Sequence, residues 1–258
     1  MKLHRTASAV IGLLALAGLM SSRAPSRAQA SGSKTWVGRY QEVEAYLRTA
    51  ECVAFEPFGS GPSVESQPMA RRCILPSGGP VRRMLWQPLT TGPYRGFKVN
   101  ITGKLPAYEL DKLLKLEMLP PVVERDMLGH KGAATFWVEN IQAVTAEKPT
   151  DTAERAHWEA QLARTAMFDN LIANRDRNPN NMIRDAAWNL VLLDHARAFG
   201  TGTELLHPMP EIDRELWSRI EKLTRPQLDS ALARWLSAEE ITALVGRREK
   251  MKAEIKKQ

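Results

Sequence analysis

Asp176, Asn181 and Asp194 are the side chains whose types and spacing could do chemistry together. Carboxylate and amide oxygens are what hard divalent cations prefer, and a carboxylate can also orient or deprotonate a hydroxyl. The first two lie in Asn174-Arg175-Asp176-Arg177-Asn178-Pro179-Asn180-Asn181, which is too polar and too rich in turn formers for a helix or strand interior. Asp194 and His195 follow Trp188-Asn189-Leu190-Val191-Leu192-Leu193, which reads as a buried strand. An Asp at the end of such a strand faces a pocket mouth. Burying it unpaired is costly, so a metal ion or another partner must accompany it.

Two plainer readings use the same residues. Asn174, Asp176, Asn178 and Asn180 alternate like the first ligands of a calcium loop, with Asp185 in the closing position. Pro179 then stands where that loop needs Gly, and Asp185 is a poor bidentate substitute for Glu. Alternatively the segment is a polar turn between a helix and a strand, with Asp194 as a cap.

The spacing of Asp176-Arg177, Asn181 and Asp194 resembles the catalytic and metal-binding loops of the atypical kinases. These include the phosphatidylinositol kinases, the HipA-type toxin kinases and the secreted Golgi casein kinase family. Phe168-Asp169-Asn170-Leu171-Ile172-Ala173-Asn174 and Ala198-Phe199-Gly200 match the last of these best. The resemblance implies an α+β, two-lobed protein-kinase-like fold, with an antiparallel sheet in the N-lobe and a mostly helical C-lobe. It implies Asp176 as the catalytic Asp, Asn181 and Asp194 as metal ligands, and ATP or another nucleoside triphosphate with magnesium or manganese as cofactors. Phosphoryl transfer needs that set: a carboxylate for the acceptor and oxygens that hold the metal on the triphosphate. The acceptor itself is not legible.

The elements that must position these residues follow in chain order. Residues 36–48 carry Trp36, Tyr40, Val43 and Leu47 at helical spacing, a helix for the outside of a sheet. Cys52 to Phe55 and Cys73 to Leu75 are strand-like and bracket a Gly/Pro/Ser-rich connection. Within it, Gly59 and Gly61 stand where a kinase places its glycine-rich cover over the phosphates. Residues 82–89 form the next strand, and 90–98 an irregular Gly/Pro loop. Residues 105–116 form a helix with Leu110, Leu113, Leu114 and Leu116 as its apolar face, stopped by Pro120-Pro121. Leu110-Asp111-Lys112-Leu113-Leu114 followed by Pro120-Pro121-Val122-Val123 again resembles the secreted casein kinase and lipid-kinase pattern. A further hairpin leads to a hinge-like exit at Val138-Glu139, and Glu139 joins the expected nucleotide-binding residues. A helix over 151–168 delivers the chain to the acidic loop. Beyond Gly200, residues 211–223 are helical, and Thr224-x-x-Gln227 and Ser237-x-x-Glu240 are capping boxes for two more helices. The basic tail, 247–258, reads as a solvated helix end.

The pattern is broken at three places. A working kinase pairs a Lys on the third strand with a Glu on the next helix, and the Lys grips phosphates. Here the strand offers Gln87, followed by Pro88, and the helix position is Lys104. Glu109 lies about 140° further round the helix and would not face the same pocket. Asn178 also replaces the His of the family's Asp-Arg-His turn. The changes at Gln87 and Lys104 have opposite sense, a cation lost and a cation gained. If the two positions touch, Lys104 becomes the phosphate-gripping residue with Gln87 as its neutral hydrogen-bond partner. The rival from another class is a pseudokinase, a binding or scaffold module on the same fold.

Composition bounds the rest. A chain of 258 residues with 43% hydrophobic content can fill one large domain or two lobes. The basic and apolar start with Ala28-Gln29-Ala30 reads as a cleavable export signal over 1–30, leaving an N-lobe over 31–140 and a C-lobe over 141–258. The formal charge of +7 includes Lys2, Arg5, Arg23 and Arg27 of that signal, so the remainder makes no case for nucleic acid. No later segment is apolar enough to cross a membrane. Cys52 and Cys73, the only cysteines, would meet an oxidising compartment and could pair; two buried thiols are the alternative.

Overall fold

The computed structural model describes residues 34–56, 69–94 and 97–258. The expected signal segment and Gly59 and Gly61 lie outside the described residues. Helix α1 (Tyr40–Thr49) precedes strands β1 (Ala54–Glu56), β2 (Arg71–Ile74) and β3 (Arg83–Pro88). After a two-stranded ribbon come helix α2 (Lys104–Leu114) and strands β6 (Val122–Met127) and β7 (His130–Phe136). The main sheet is antiparallel, in the order β1-β2-β3-β7-β6. Strand β3 shows why it holds its place. Met84 and Trp86 point into the core beneath α1, with Val43, Leu47 and Trp36, while Leu85 and Gln87 point the other way, into a cleft. Gly132 lies over the Trp86 indole, where a Cβ would come within 2.1 Å of Nε1. Arg125 fixes the end of α1 by donating to the carbonyls of Leu47 (2.8 Å) and Ala50 (2.6 Å).

The ribbon is a departure from expectation. Residues read as an irregular loop form β4 (Thr91–Tyr94) and β5 (Phe97–Asn100), paired from Thr91↔Asn100 to Tyr94↔Phe97. Ile101 N–H donates to Thr90 O across the ribbon's own base, and Asn100 N–H makes a tertiary bond to Ala196 O. Local Gly/Pro composition does not encode such bonds. A second departure is on α2, where Leu113 is 38% exposed rather than part of the buried face. That face is Leu105, Tyr108, Leu110, Asp111 and Leu114.

The second half contains β8 (Gln142–Ala143), helix α3 (Thr152–Ile172), β9 (Met182–Arg184) and β10 (Leu190–Leu192), the strands forming a small sheet in the order β10-β9-β8. Asp151 caps α3 by accepting from Ala153 N and Glu154 N. The helix runs four residues past the expected end, because Phe168 to Ile172 are all buried. Helices α4 (Arg214–Glu221), α5 (Arg225–Leu232) and α6 (Ala238–Ile255) complete the chain, the last two opened by the capping boxes at Thr224 and Ser237. The tail is solvated on one face only: Lys250, Lys256 and Lys257 are exposed as its charge suggested, but the opposite face is buried. Arg247 is fully buried and donates to Leu171 O, Gly200 O and Gly202 O, with Met251 and Ile255 also inside. A buried guanidinium that meets three carbonyls acts as a peg between α6 and the end of α3. Leu110 and Leu114 of α2 share one core with Leu216, Ile220, Leu228 and Leu232 of the C-terminal helices. Helix α2 is therefore braced from the C-terminal half. Among the described residues no helix is long and apolar enough to cross a membrane.

Cys52 and Cys73 form a disulfide beside the β1–β2 pair. It closes a loop with a sequence separation of 21. Replacing both cysteines by Ser is expected to cost about 3 kcal/mol of unfolding free energy by the chain-entropy account. Urea denaturation should show that loss; an unchanged midpoint would contradict it.

Candidate active site

The acidic loop is built outward from the end of α3. Ala173 ends the helix in the left-handed region (φ 52°), and Asn174, fully buried, turns the chain. Its amide donates to Asp169 Oδ1 (2.9 Å) and its Oδ1 accepts from Asp176 N. Asp176 is held on both carboxylate oxygens. Oδ1 accepts from Asn178 Nδ2 (2.8 Å), and Oδ2 lies 3.4 Å from Arg197 Nη1. Asn178 thus gives the Asp176 carboxylate a neutral donor. Asn181 donates from Nδ2 to Asp176 O (2.8 Å), so its Oδ1 is the oxygen a cation would use.

Arg177 ties this loop to the next. Its Nε and Nη2 grip both oxygens of Asp169 (2.8 and 3.0 Å), and Nη1 donates to Asn181 O (2.6 Å) and Leu193 O (2.9 Å). Nη2 also meets His195 Nε2 at 2.9 Å. All five guanidinium protons are used. The guanidinium can only donate, so His195 accepts at Nε2 and carries its proton on Nδ1. Burial, and then the charges of Arg177 and Lys104, hold His195 well below its ordinary pKa and keep the ring neutral. Asp194 follows β10 in the left-handed region (φ 51°), a conformation Asp tolerates better than most residues, and its Oδ1 accepts from Ala196 N.

The facing wall comes from β3 and α2. Lys104 donates from Nζ to Gln87 Oε1 at 2.5 Å. Burial lowers the Lys104 pKa from its ordinary value, and the negative charge of Asp194 opposes that shift. The start of α2 lies so close to the Asp194 loop that a Cβ at Gly103 would come within 2.7 Å of His195 O. Its far end is fixed by Asp111, whose Oδ1 accepts from Met118 N and Leu119 N. Burial pushes that carboxyl up to about 7. Tyr108 and Lys112 both donate to Glu44 of α1. These contacts hold α2 on three sides.

Gln87, Lys104, Asn181 and Asp194 thus line one cleft of about 300 Å³ between the two halves. Asp176 is outside the lining and is tied to it through the bond from Asn181 Nδ2 to its carbonyl. Glu139 is not brought in: its carboxylate pairs with Arg83 on the sheet, although its neighbours Trp137 and Val138 line the cleft. Glu109 pairs with Lys112 at 3.1 Å, away from Lys104. Asp185 accepts from Ala187 N, Asn189 N and Asn189 Nδ2, so its carboxylate closes the β9–β10 turn instead of a calcium loop. Sequence reasoning singled out neither Asp169, Arg177 nor His195 for these roles. The one signal that could have found them is Asp169 at the buried end of a helix, which needs a cation near it.

Asn181 and Asp194 fit magnesium or manganese in chemical type, being oxygen donors at a cleft mouth opposite a cation. Among the described residues there is no group of three or more His, Cys, Asp or Glu that could hold a metal. The pair would therefore hold one jointly with ligand oxygens.

No protein-family model matches the chain, and no curated protein matches it. Solved structures do. A Golgi casein kinase with Mn/ADP bound superposes with a TM-score of 0.60 at 11% identity, covering 84% of this chain and 75% of that one. A hydra Fam20 structure with sugar gives 0.58 at 15% identity, covering 85% and 89%. At such identities the likeness is one of fold: this chain has an atypical kinase-like, two-lobed α+β fold.

Proposed function

We propose that the cleft binds a nucleoside triphosphate with magnesium or manganese and transfers its terminal phosphate to an acceptor hydroxyl. The observation that carries this is the facing arrangement of Asn181 and Asp194 across from the Lys104–Gln87 pair. Two oxygen donors for a metal oppose a cation for phosphates, which is the division of labour phosphoryl transfer requires. When bound, the metal neutralises charge on the phosphates. Lys104 grips them from the helix side, with Gln87 holding its ammonium in place. Asp176 orients the acceptor hydroxyl and takes its proton as the new bond to phosphorus forms and the bond to the diphosphate breaks. Asn178 and Arg197 keep that carboxylate in one orientation. The N-terminal segment and the disulfide support export, with the mature chain acting outside the cytoplasm. The manganese and ADP of the similar kinase structure support the cofactor pair.

One observation favours a second reading. With no Lys on β3 and a guanidinium beside Asp176, the same cleft could hold nucleotide without turnover, as a pseudokinase. One experiment separates the readings. Magnesium with ATP at about a hundred times its Kd should stabilise the protein by roughly 2.7 kcal/mol, seen as a raised melting temperature. Asp194→Ala is expected to abolish the metal-dependent part of that rise while unfolding cooperatively, since it removes a ligand and not core packing. Undiminished stabilisation of the variant would refute the metal assignment. Release of ADP by the wild type marks the enzyme, and its absence beside intact binding marks the pseudokinase. Stabilisation by calcium alone would revive the calcium loop.

A further inference from the structure

Asp111 is fully buried on α2, about two turns beyond Lys104, and at 3.6 residues per turn the two share one face of the helix. Lys104 lines the cleft, and Asp111 reaches the turn that follows the helix. Its Oδ1 accepts from Met118 N (3.0 Å) and Leu119 N (3.2 Å). Met118 O in turn accepts from Leu192 N on β10 (2.9 Å), and Asp194 stands just beyond Leu192 in the chain. Leu119 and Leu192 both line the cleft. One side chain therefore joins the helix that carries the proposed phosphate cation to the strand that leads into the proposed metal ligand.

The same carboxyl is poorly suited to be a passive brace. Oδ2 is buried and has no hydrogen-bond partner, so the ionised group is stabilised at one oxygen only. Burial pushes its pKa from 3.8 up to about 7, against the two amide bonds and the charge of Lys34. The titratable groups around it are Lys34 ahead of α1, Tyr40 on α1, Tyr108 on α2 itself and Glu117 in the turn. Lys34 is the cation of that set. Burial lowers it to about 8, so it is still charged where Asp111 ionises. Amide bonds to a carboxylate are roughly twice as strong as bonds to a neutral acid.

Resting on the nucleotide reading above, we infer that Asp111 is a positioning residue that sets the spacing of Lys104 and Asp194 across the cleft. As a carboxylate it holds Met118, Leu119 and, through Met118, β10 firmly against α2. As a neutral acid it holds them weakly, and the metal–nucleotide meets a looser cleft. Nucleotide affinity therefore rises as the pH passes upward through about 7, while stability runs the other way. The unfolded chain ionises this carboxyl near 3.8 and the folded chain near about 7, so the unfolding free energy falls between those values.

Wild type and Asp111→Asn are titrated calorimetrically with magnesium and ATP from about pH 6 to about pH 8, either side of the folded value. Asn keeps an oxygen for the two amides and cannot ionise, so it stands for the protonated state. The ratio of the two affinities cancels the titration of the nucleotide's own phosphates. That ratio should be near unity at the acid end and about tenfold in favour of wild type at the alkaline end. Urea denaturation should show the fall in unfolding free energy in wild type and lose it in the variant. A flat affinity ratio beside that fall means a buried acid that titrates without positioning anything, and overturns the inference. A fall of the same size in both proteins overturns it too. If Asp111→Asn does not fold, Lys34→Met replaces it: the midpoint of the wild-type rise should move to higher pH, and an unmoved midpoint is a refutation. If no triphosphate binds wild type, the nucleotide reading falls by itself, and hydrogen exchange at Leu192 N–H judges the coupling. Protection there should be lower in Asp111→Asn at the alkaline end; equal protection in the two proteins shows that Asp111 does not hold β10.

Discussion

Arg177→Met is expected to destabilise the protein by about 3–5 kcal/mol, because it strands a buried carboxylate. Asp169 is 1% exposed, and both its oxygens are gripped by the Arg177 guanidinium, with Asn174 adding one amide bond. Removing the cation leaves that charge in the core with one neutral donor. The same change releases the carbonyls of Asn181 and Leu193 and the His195 ring, the contacts that join the Asp176 loop to the Asp194 loop. Arg177→Lys should recover little, since an ammonium offers three protons and no planar fork to five acceptors. Urea denaturation of both variants checks the magnitude. Adding Asp169→Leu to Arg177→Met removes the stranded charge, and stability should partly return while metal-dependent nucleotide binding stays weak. A single Arg177→Met variant within about 1 kcal/mol of wild type would show that the guanidinium is peripheral to the fold.

Legibility in the sequence followed the range of the interaction. Two helix starts were readable because a cap is local: Thr224 and Ser237 each accept from backbone three residues on, whereas α4, expected from residue 211, starts at Arg214 behind the Asp213 cap. The cleft-facing role of β3 was only half legible. Alternation separates Met84 and Trp86 from Leu85 and Gln87, but nothing local says which face holds the cleft. Arg247 shows the opposite limit. A basic run at a helix end looks solvated, and only the carbonyls of Leu171, Gly200 and Gly202, more than forty positions away, make its burial tolerable. The ribbon of β4 and β5 was missed for the same reason, its bond from Asn100 N–H reaching to Ala196 O. The Gln87–Lys104 contact was readable in advance only because a pattern of paired positions was broken twice in opposite senses; its distance and its place beside Asp194 came from the fold.

That contact leads to the second large effect. Lys104→Met is expected to weaken metal–nucleotide binding by about 10- to 100-fold, the range of a charge-assisted hydrogen bond removed from a partly buried site. Helix α2 is held by Glu44, by the Asp111 turn and by the tight approach of Gly103 to His195, so a neighbouring side chain has little freedom to replace the lost ammonium. Gln87→Met should cost less, because it removes only the neutral group that positions Lys104. The two residues share a hydrogen bond, so the double variant should lose less than the sum of the single losses. The decisive variant restores the ordinary arrangement, Gln87→Lys with Lys104→Glu. It returns a cation to β3 and an anion to α2 across the same short distance, and binding should recover to within a few-fold of wild type. Lys104→Glu alone should bind worst, since it sets an anion beside Asp194 where phosphates must sit. If calorimetric titration finds Lys104→Met indistinguishable from wild type, the cation does not reach the phosphates. The helix lysine is then a packing contact of a decayed site, and the non-catalytic reading gains.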